Sequence, residues 1–522
     1  MGDIMKLVRD IINTRELSLD YFKWIVKKAQ IFYNARLSGD ERLYKNLLNG
    51  WNVLPLFTQK STRTHDSFLE ALNLMGARHN IGISDPTSSS LGKGETLADT
   101  IDTYIGYGAQ FIVLRDSREG SAKWAKICAL RSFSRRVIDY IKRNRRYPKN
   151  ILLPLIFNGG DGSHNHPSQH LLDCAAINYH FKKFTNLNIG IINDLKASRV
   201  FASQVDAAAM LKWNLHLFAL PGAEIKQREK LRLKNTKTNF KIYSKFNNFE
   251  KNLSKLDVLY VHRFQKNLRE GNKFDVECNP ITREMLKKNK FKKNSIVMHA
   301  RPIDKEVKEI NDTLRYHSWN FSDIQSDFGL ATRMAMAYYA IENDLFSLIN
   351  IIKSLNTSDF GFVKKDLSNI KPKKTMEKFT TAYVQEGYVI DHIPFGCGIS
   401  MQGIINQLIP HSTTILASNV KGKHEHSIKK DVIKMHGKFE WTKELDNLIA
   451  IFRDISKDKS CVVSKFENGK RVKKWAFKTY HGKSDCCINP KCITREEFHE
   501  GIIFKMNKKA KKYECPFCHT LQ

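Results

Sequence analysis

Residues 57–68 read FTQKSTRTHDSF, and within them Ser61, Thr62, Arg63 and Thr64 set three hydroxyls and a guanidinium ahead of the apolar positions Phe68, Ala71, Leu72 and Met75. Spacings of three and four predict a helix whose first turn is Ser61 to Thr64. Amides in a first turn have no intrahelical acceptor and the helix dipole favours negative charge there, so this turn could cradle a phosphate. Capping of a polar helix start is the plainer use of the same hydroxyls. A second stretch, SSSLGKGETLADT at 88–100, places Ser90 and Lys93 in a loop of serines and glycines that could offer further donors. In GGDGSHNHPSQHLLD, His166 and Gln169 stand three apart at a helix start and share one face. Near the other end, CINPKC and CPFC supply Cys487, Cys492, Cys515 and Cys518, two thiolate pairs suited to a closed, tetrahedral, structural zinc.

Groups so far apart in sequence need a scaffold that gathers them. The short apolar runs QFIVLR, ILLPLIF, NIGIIND, LHLFAL, DVLYVHR and NSIVMHA alternate with helical segments, which predicts two α/β domains with parallel sheets covered on both faces. Arg115, Arg199, Arg263, Gln265 and His299 follow these runs and fall at the carboxyl edge, where open α/β sheets bind ligands. The expected division is 1–170, completed by a C-terminal helix at 331–352, then 171–330. Gly, Pro, Ser and Lys without periodicity suggest a linker at 353–376. A smaller α+β unit at 377–480 and a cysteine-rich unit at 481–522 follow.

At 522 residues the chain exceeds what one core holds. Its formal charge of +33 raises nucleic acid as a partner, but the lysines are dispersed among Asn and Ile, as in LKNTKTNFKIYSKFNNFEKN, and read as general surface enrichment. Nucleic acid is therefore not expected. The exception is the basic amphipathic stretch RSFSRRVIDYIKRNRRYPKN, 131–150, expected to be a solvated helix. No long uncharged apolar run occurs and MGDIMKLVRD lacks a signal-peptide core, so a cytoplasmic chain with no membrane partner is expected. In that compartment clustered cysteines point to metal rather than disulfides.

Taken in order, KSTRT, SSSLGKGETLADT, VLRDSREG, GDGSHNHPSQHLLD, NDLKASR, VLYVHRFQK, VMHARP and QSDFGLATRMA resemble the aspartate carbamoyltransferase family over about the first 345 residues. EGYVIDHIP, DVIK and the cysteine pairs resemble that family's regulatory chain, here fused behind the catalytic part. The resemblance implies two doubly wound parallel-sheet domains, then a ferredoxin-like nucleotide-binding domain and a zinc-ribbon-like β domain. It implies transfer of the carbamoyl group of carbamoyl phosphate to L-aspartate, giving N-carbamoyl-L-aspartate and phosphate in pyrimidine biosynthesis, with no catalytic cofactor and one structural zinc per chain.

By the same resemblance, Ser61, Thr62, Arg63 and Thr64 bind the phosphate, and Thr64, Arg115 and His166 donate to the carbonyl oxygen. Gln169 and the backbone carbonyls of Ala300 and Arg301 hold the carbamoyl nitrogen, while Lys93, Arg199, Arg263 and Gln265 meet aspartate. Ser90 and Lys93 reach a neighbouring subunit's site, which implies a homotrimer, with larger assembly through the regulatory regions. Asp391, His392, Lys434 and Lys474 match contacts to CTP or ATP effectors. The sequence departs from the family at His65, Asn193 and Val200, and most at HARPID, 299–304, where a cis bond is expected at Arg301-Pro302. Two other readings stay open, a transcarbamoylase for another amine and a catalytically silent or nucleic-acid-binding relative.

Overall fold

The computed structural model describes residues 7–59, 61–79, 94–148, 151–243, 247–263, 280–304, 308–369, 384–420, 429–453, 461–479, 487–497, 504–508 and 510–522. In the first unit β1 (Asn52–Phe57), β2 (Arg78–His79), β3 (Phe111–Asp116) and β4 (Leu155–Asp161) form a parallel sheet ordered β2-β1-β3-β4. Side chains alternate across it. Val53 and Phe57 of β1 pack with α1 (Leu19–Ser38) and α2 (Thr62–Leu74), whereas Leu54 and Leu56 pack with α3 (Leu97–Gly106) and α4 (Ser121–Asn144). Burial on both faces is why these strands read as unbroken apolar runs. Helix α5 (Pro167–Phe181) joins the α1 side.

The second unit repeats the plan. Strands β5 (Asn188–Asn193), β6 (Asn214–Ala219), β7 (Phe240–Tyr243), β8 (Val258–Val261) and β9 (Ile296–Met298) are parallel in the order β7-β6-β5-β8-β9. Helices α6 (Arg199–Ala208), α7 (Gln227–Asn235), α8 (Asn247–Asn252) and α9 (Arg283–Lys288) connect them. Helix α10 (Ser322–Glu342) then returns to pack on α1, α2 and α5, with Tyr339 edge-on to Tyr21 at 4.8 Å.

After α11 (Leu348–Ser354), a 3-10 turn at Thr357–Phe360 leads into β10 (Phe362–Asp366), which pairs antiparallel with the later β15 (Lys470–Thr479). The stretch expected as a linker at 353–376 is thus largely structured through residue 366. Strands β11 (Gly387–Pro394), β12 (Thr413–Val420), β13 (Lys430–His436) and β14 (Val462–Glu467) complete an antiparallel sheet ordered β10-β15-β14-β11-β13-β12. With α12 (Gly398–Leu408) and α13 (Lys443–Ile451) interposed, β11-α12-β12-β13-α13-β14 is a ferredoxin-like unit extended by two strands. A last hairpin, β16 (Lys505–Asn507) and β17 (Lys512–Glu514), accompanies the four cysteines.

One apolar cluster runs from the outer face of the first sheet (Leu54, Ile112) through α4 (Phe133, Ile141) into the third unit (Tyr388, Leu448) and the cysteine unit (Phe517). The basic stretch 131–150, expected as a solvated helix, is largely the second half of α4 and is turned onto its own chain. Arg135 and Arg136 donate to Asp102, Arg131 Nε donates to the Phe360 carbonyl at 3.2 Å, and the Arg145 guanidinium lies 4.6 Å over the Phe395 ring. No helix among the described residues is long and apolar enough to cross a membrane.

Candidate active site

Strand order reverses once in each parallel sheet, between β1 and β3 and between β5 and β8, and loops at such reversals form ligand crevices. Both crevices open into one cavity of about 930 Å³. Ser61, Thr62, Arg63 and Thr64 line it from the start of α2, and the Ser61 side chain makes no capping hydrogen bond. Arg115, the penultimate residue of β3, donates from Nη1 to the Gly159 carbonyl at 2.9 Å; Arg199 begins α6 and donates from Nη2 to Gln59 Oε1 at 2.7 Å. Both guanidinium groups lie against Gly160, at φ +116°, where a Cβ would come within 2.7 Å of Arg199 Nη1 and 3.2 Å of Arg115 Nη1. Only glycine admits them together.

His166 sits at the N-cap of α5, its amide donating to Ser203 Oγ at 2.8 Å and its Nδ1 lying 3.3 Å from Ser168 Oγ. Gln169 lines the cavity one turn on and donates to Asp173 at 3.0 Å. Arg263 follows β8 with Asp304 at 3.5 Å, and Ala300 and Arg301 follow β9. The Arg301-Pro302 bond is cis. Ser90, Lys93 and Gln265 lie outside the described residues.

Sequence reasoning missed several participants. Arg333 of α10 reaches the cavity over the Phe68 ring at 4.7 Å, and Gln59 ties the first unit to Arg199 of the second. Behind Gln169, the Gln325 amide donates to Asp173 at 2.7 Å, Tyr260 donates to Asp173 at 2.9 Å, and Gln325 Oε1 accepts the His299 amide. Their signals were present: Gln59 directly precedes KSTRT, and Gln325 and Arg333 fall within QSDFGLATRMA.

The electrostatics are those of an anion site. Six arginines line the cavity, and the buried atoms Arg115 Nε, Arg199 Nη1, Arg263 Nε and Arg333 Nε have no hydrogen-bond partner among the described residues. Burial and the neighbouring Arg199 push Arg115 well below the ordinary guanidinium range; burial takes Arg333 down to about 9. Arginine does not give up its proton in proteins, so these directions measure unmet demand for negative charge. Burial, then Arg115, Arg199 and Arg333, hold His166 well below the usual imidazole value. It is therefore a neutral ring with one N–H to donate.

The four cysteine sulfurs are buried and lie within 4.8 Å of one another, with Cys487–Cys518 at 3.5 Å and Cys492–Cys515 at 3.9 Å. A tetrahedral zinc with bonds of about 2.3 Å needs S···S edges of roughly 3.8 Å, so the set fits a closed zinc site. This unit docks on the first parallel-sheet domain through main-chain bonds, Glu119 N to the Lys491 carbonyl at 2.7 Å and Ile493 N to the Glu119 carbonyl at 3.0 Å. Arg228 of α7 donates to Glu119 and, at 2.9 Å, to the Cys518 carbonyl, so the second unit joins the contact too. Gly120, at φ +85°, is overlaid so closely that a Cβ would lie 2.7 Å from Phe517.

In the third unit, register aligns Lys434 of β13, Val389 of β11, Ser464 of β14 and Lys474 of β15 in one row across the sheet. Alternation puts Asp391 on the same face, opposite the buried Tyr388 and Ile390. Burial lowers both lysines. Burial alone would raise Asp391, but His392 and Lys430, the latter at 2.7 Å, hold it below the usual carboxylate range.

Comparison with known proteins agrees with this architecture. Residues 9–179 match the carbamoyl-P binding domain and 185–340 the Asp/Orn binding domain of the aspartate/ornithine carbamoyltransferases, and 379–477 match the allosteric domain of the aspartate carbamoyltransferase regulatory chain. The aspartate carbamoyltransferase catalytic subunit of Buchnera aphidicola is 30% identical over 335 residues, covering 63% of this chain and 94% of the relative. That of Methanocella arvoryzae is 32% identical over 338 residues, covering 63% and 96%. Among solved structures, aspartate transcarbamoylase from Trypanosoma cruzi in complex with N-(phosphonacetyl)-L-aspartic acid superposes with a TM-score of 0.53 at 23% identity, over 64% of this chain and 96% of that one, a likeness of fold. Two transcarbamoylase domains followed in one polypeptide by a regulatory-type allosteric domain place this chain in the aspartate carbamoyltransferase family.

Proposed function

We propose that the cavity transfers the carbamoyl group of carbamoyl phosphate to L-aspartate through the residues that line it. The β1–α2 turn, with Ser61, Thr62, Arg63 and Thr64, receives the phosphate, where first-turn amides and the helix dipole favour an anion. Thr64, Arg115 and the neutral His166 donate to the carbonyl oxygen as the aspartate nitrogen attacks its carbon and that oxygen gains negative charge. Gln169 and the carbonyls of Ala300 and Arg301 hold the carbamoyl nitrogen, fixing the carbon in line with the amine. Arg199 and Arg263 take the carboxylates of aspartate. The C–N bond forms, the C–O bond to phosphate breaks, and the amine loses a proton for which the departing phosphate is the nearest base.

One observation carries this reading: buried guanidinium atoms with no partner among the described residues converge from two domains on a single cavity, an arrangement that two anions placed side by side would complete. A carbamoyl-aspartate assay titrated with aspartate tests it, together with binding of a bisubstrate mimic joining a phosphonate to an aspartyl group. Absence of both turnover and mimic binding in zinc-loaded protein would overturn it.

The family implies more. Ser90 and Lys93 complete a neighbour's site in a homotrimer, so Lys93→Ala and His166→Ala chains, each inactive, should recover activity when mixed; no recovery despite subunit exchange counts against sharing. The face carrying Asp391, Lys434 and Lys474 binds CTP or ATP, His392 lying beside it, and the assay repeated with each nucleotide tests that. Cys487, Cys492, Cys515 and Cys518 hold one structural zinc. The domains divide at 1–170 with 331–352, 171–330, 377–480 and 481–522.

A further inference from the structure

Arg301 occupies a backbone position at φ +51°, and its amide donates to His299 Nδ1 at 2.9 Å. Arg301 lines both the main cavity and an adjoining one of about 290 Å³, and Arg63 lines both as well. Arg301 Nη2 donates to Ser322 Oγ at 3.1 Å and to Asp323, whose side chain is 58% exposed, while its buried Nε has no partner among the described residues. Arg301 and Arg263 together depress the buried His299, after burial itself, and burial followed by the same two arginines lowers Arg63. Three guanidinium groups thus gather on one wall, and the counter-ions in contact with Arg263 and Arg301, Asp304 and Asp323, sit at its edge.

Resting on the functional reading above, we propose that the Arg301 side chain is a further binding group for the second substrate, pairing with Arg263 around one of its carboxylates, and that Asp323 parks the guanidinium until that substrate arrives. Neighbouring groups favour this over a phosphate role. Arg263 and Arg301 follow adjacent parallel strands, β8 and β9, of the second unit, whereas the phosphate turn belongs to the first. A pair with a half-exposed carboxylate is screened by water and easily exchanged, while a fork meeting a carboxylate inside the cavity is desolvated and can be bidentate. The role belongs to the side chain alone, so it adds to the carbonyl of the same residue rather than replacing it.

Steady-state kinetics on the full-length protein decide it. R301L should raise KM for aspartate about 10- to 100-fold while KM for carbamoyl phosphate stays within about threefold, and R301K, keeping charge without the fork, should fall between. Inhibition by succinate should weaken in parallel with aspartate. D323N, which frees the guanidinium without touching the cavity's donors, should lower KM for aspartate about two- to fivefold. In protein whose wild type turns over, an aspartate KM for R301L within twofold of wild type overturns the assignment and leaves the active-site reading intact. If R301L does not fold, D323N decides alone: an unchanged or raised KM overturns the proposal. Failure of the wild type to turn over instead removes the reading on which it rests.

Discussion

His166 is neutral because burial and three arginines expel a second proton, and in the proposed mechanism a neutral imidazole would offer the carbonyl oxygen one N–H without adding another repelled cation. His166→Ala should lower kcat about 10²- to 10³-fold, measured at saturating substrates, because a donor to a developing oxyanion acts mainly in the transition state. Asp173 is the opposite case. Burial raises its carboxyl to about 7, outweighing the hydrogen bonds from Gln325, Gln169 and Tyr260. A raised carboxyl contributes stability that is fully present below its unfolded value near 4 and is lost as pH climbs through about 7. Asp173→Asn, which can still accept from both glutamines, should therefore melt close to wild type at pH 4 and several degrees higher at pH 8, a gain of roughly 1–2 kcal/mol. Gln169 should remain in place, so kcat should change far less than in the His166 variant.

Among the elements, the parallel strands were legible because burial on both faces leaves a sequence signature of consecutive apolar residues, as in FIVL of β3 and VLYV of β8. The turn at Ser61 was legible too, since its hydroxyls precede a clear helical pattern. Three things were not. Periodicity identifies the charged side of α4 but cannot tell water from a neighbouring domain, and its arginines turn out to meet Asp102, Phe360 and Phe395. Strand β10 has loop composition, FVKKD, because an edge strand exposes its lysines. Gln59 stands beside KSTRT, which marks it as a neighbour of the site, but its particular partner, Arg199, lies 140 positions away and no local spacing names it. The cysteine unit gives an element-level prediction: if the proposed zinc joins the four buried cysteines, Cys515→Ser should lose the metal, measured by elemental analysis, and expose the Glu119 amide, which donates to the Lys491 carbonyl, to hydrogen exchange. Carbamoyl transfer measured without effectors should survive far better than in the His166→Ala variant.

Across the molecule, the cluster that links Leu54 to Ile141, Tyr388 and Phe517 means that the carbamoyl-phosphate side of the enzyme, the allosteric unit and the cysteine unit share apolar packing. Ile141, fully buried within that cluster on α4, is a direct probe of it. Ile141→Ala should cost about 2–4 kcal/mol and, if the packing is shared as described, lower calorimetric transitions of both the catalytic and the allosteric parts together. A variant that shifts one transition and spares the other would show the two to be energetically separate.

Strand β10 adds a last point. The polypeptide leaving the catalytic part becomes the margin of the allosteric sheet before it reaches that sheet's middle. Sensor and engine are therefore produced in equal number by every round of translation. Dilution, which strips away partners held by association alone, leaves this pair intact.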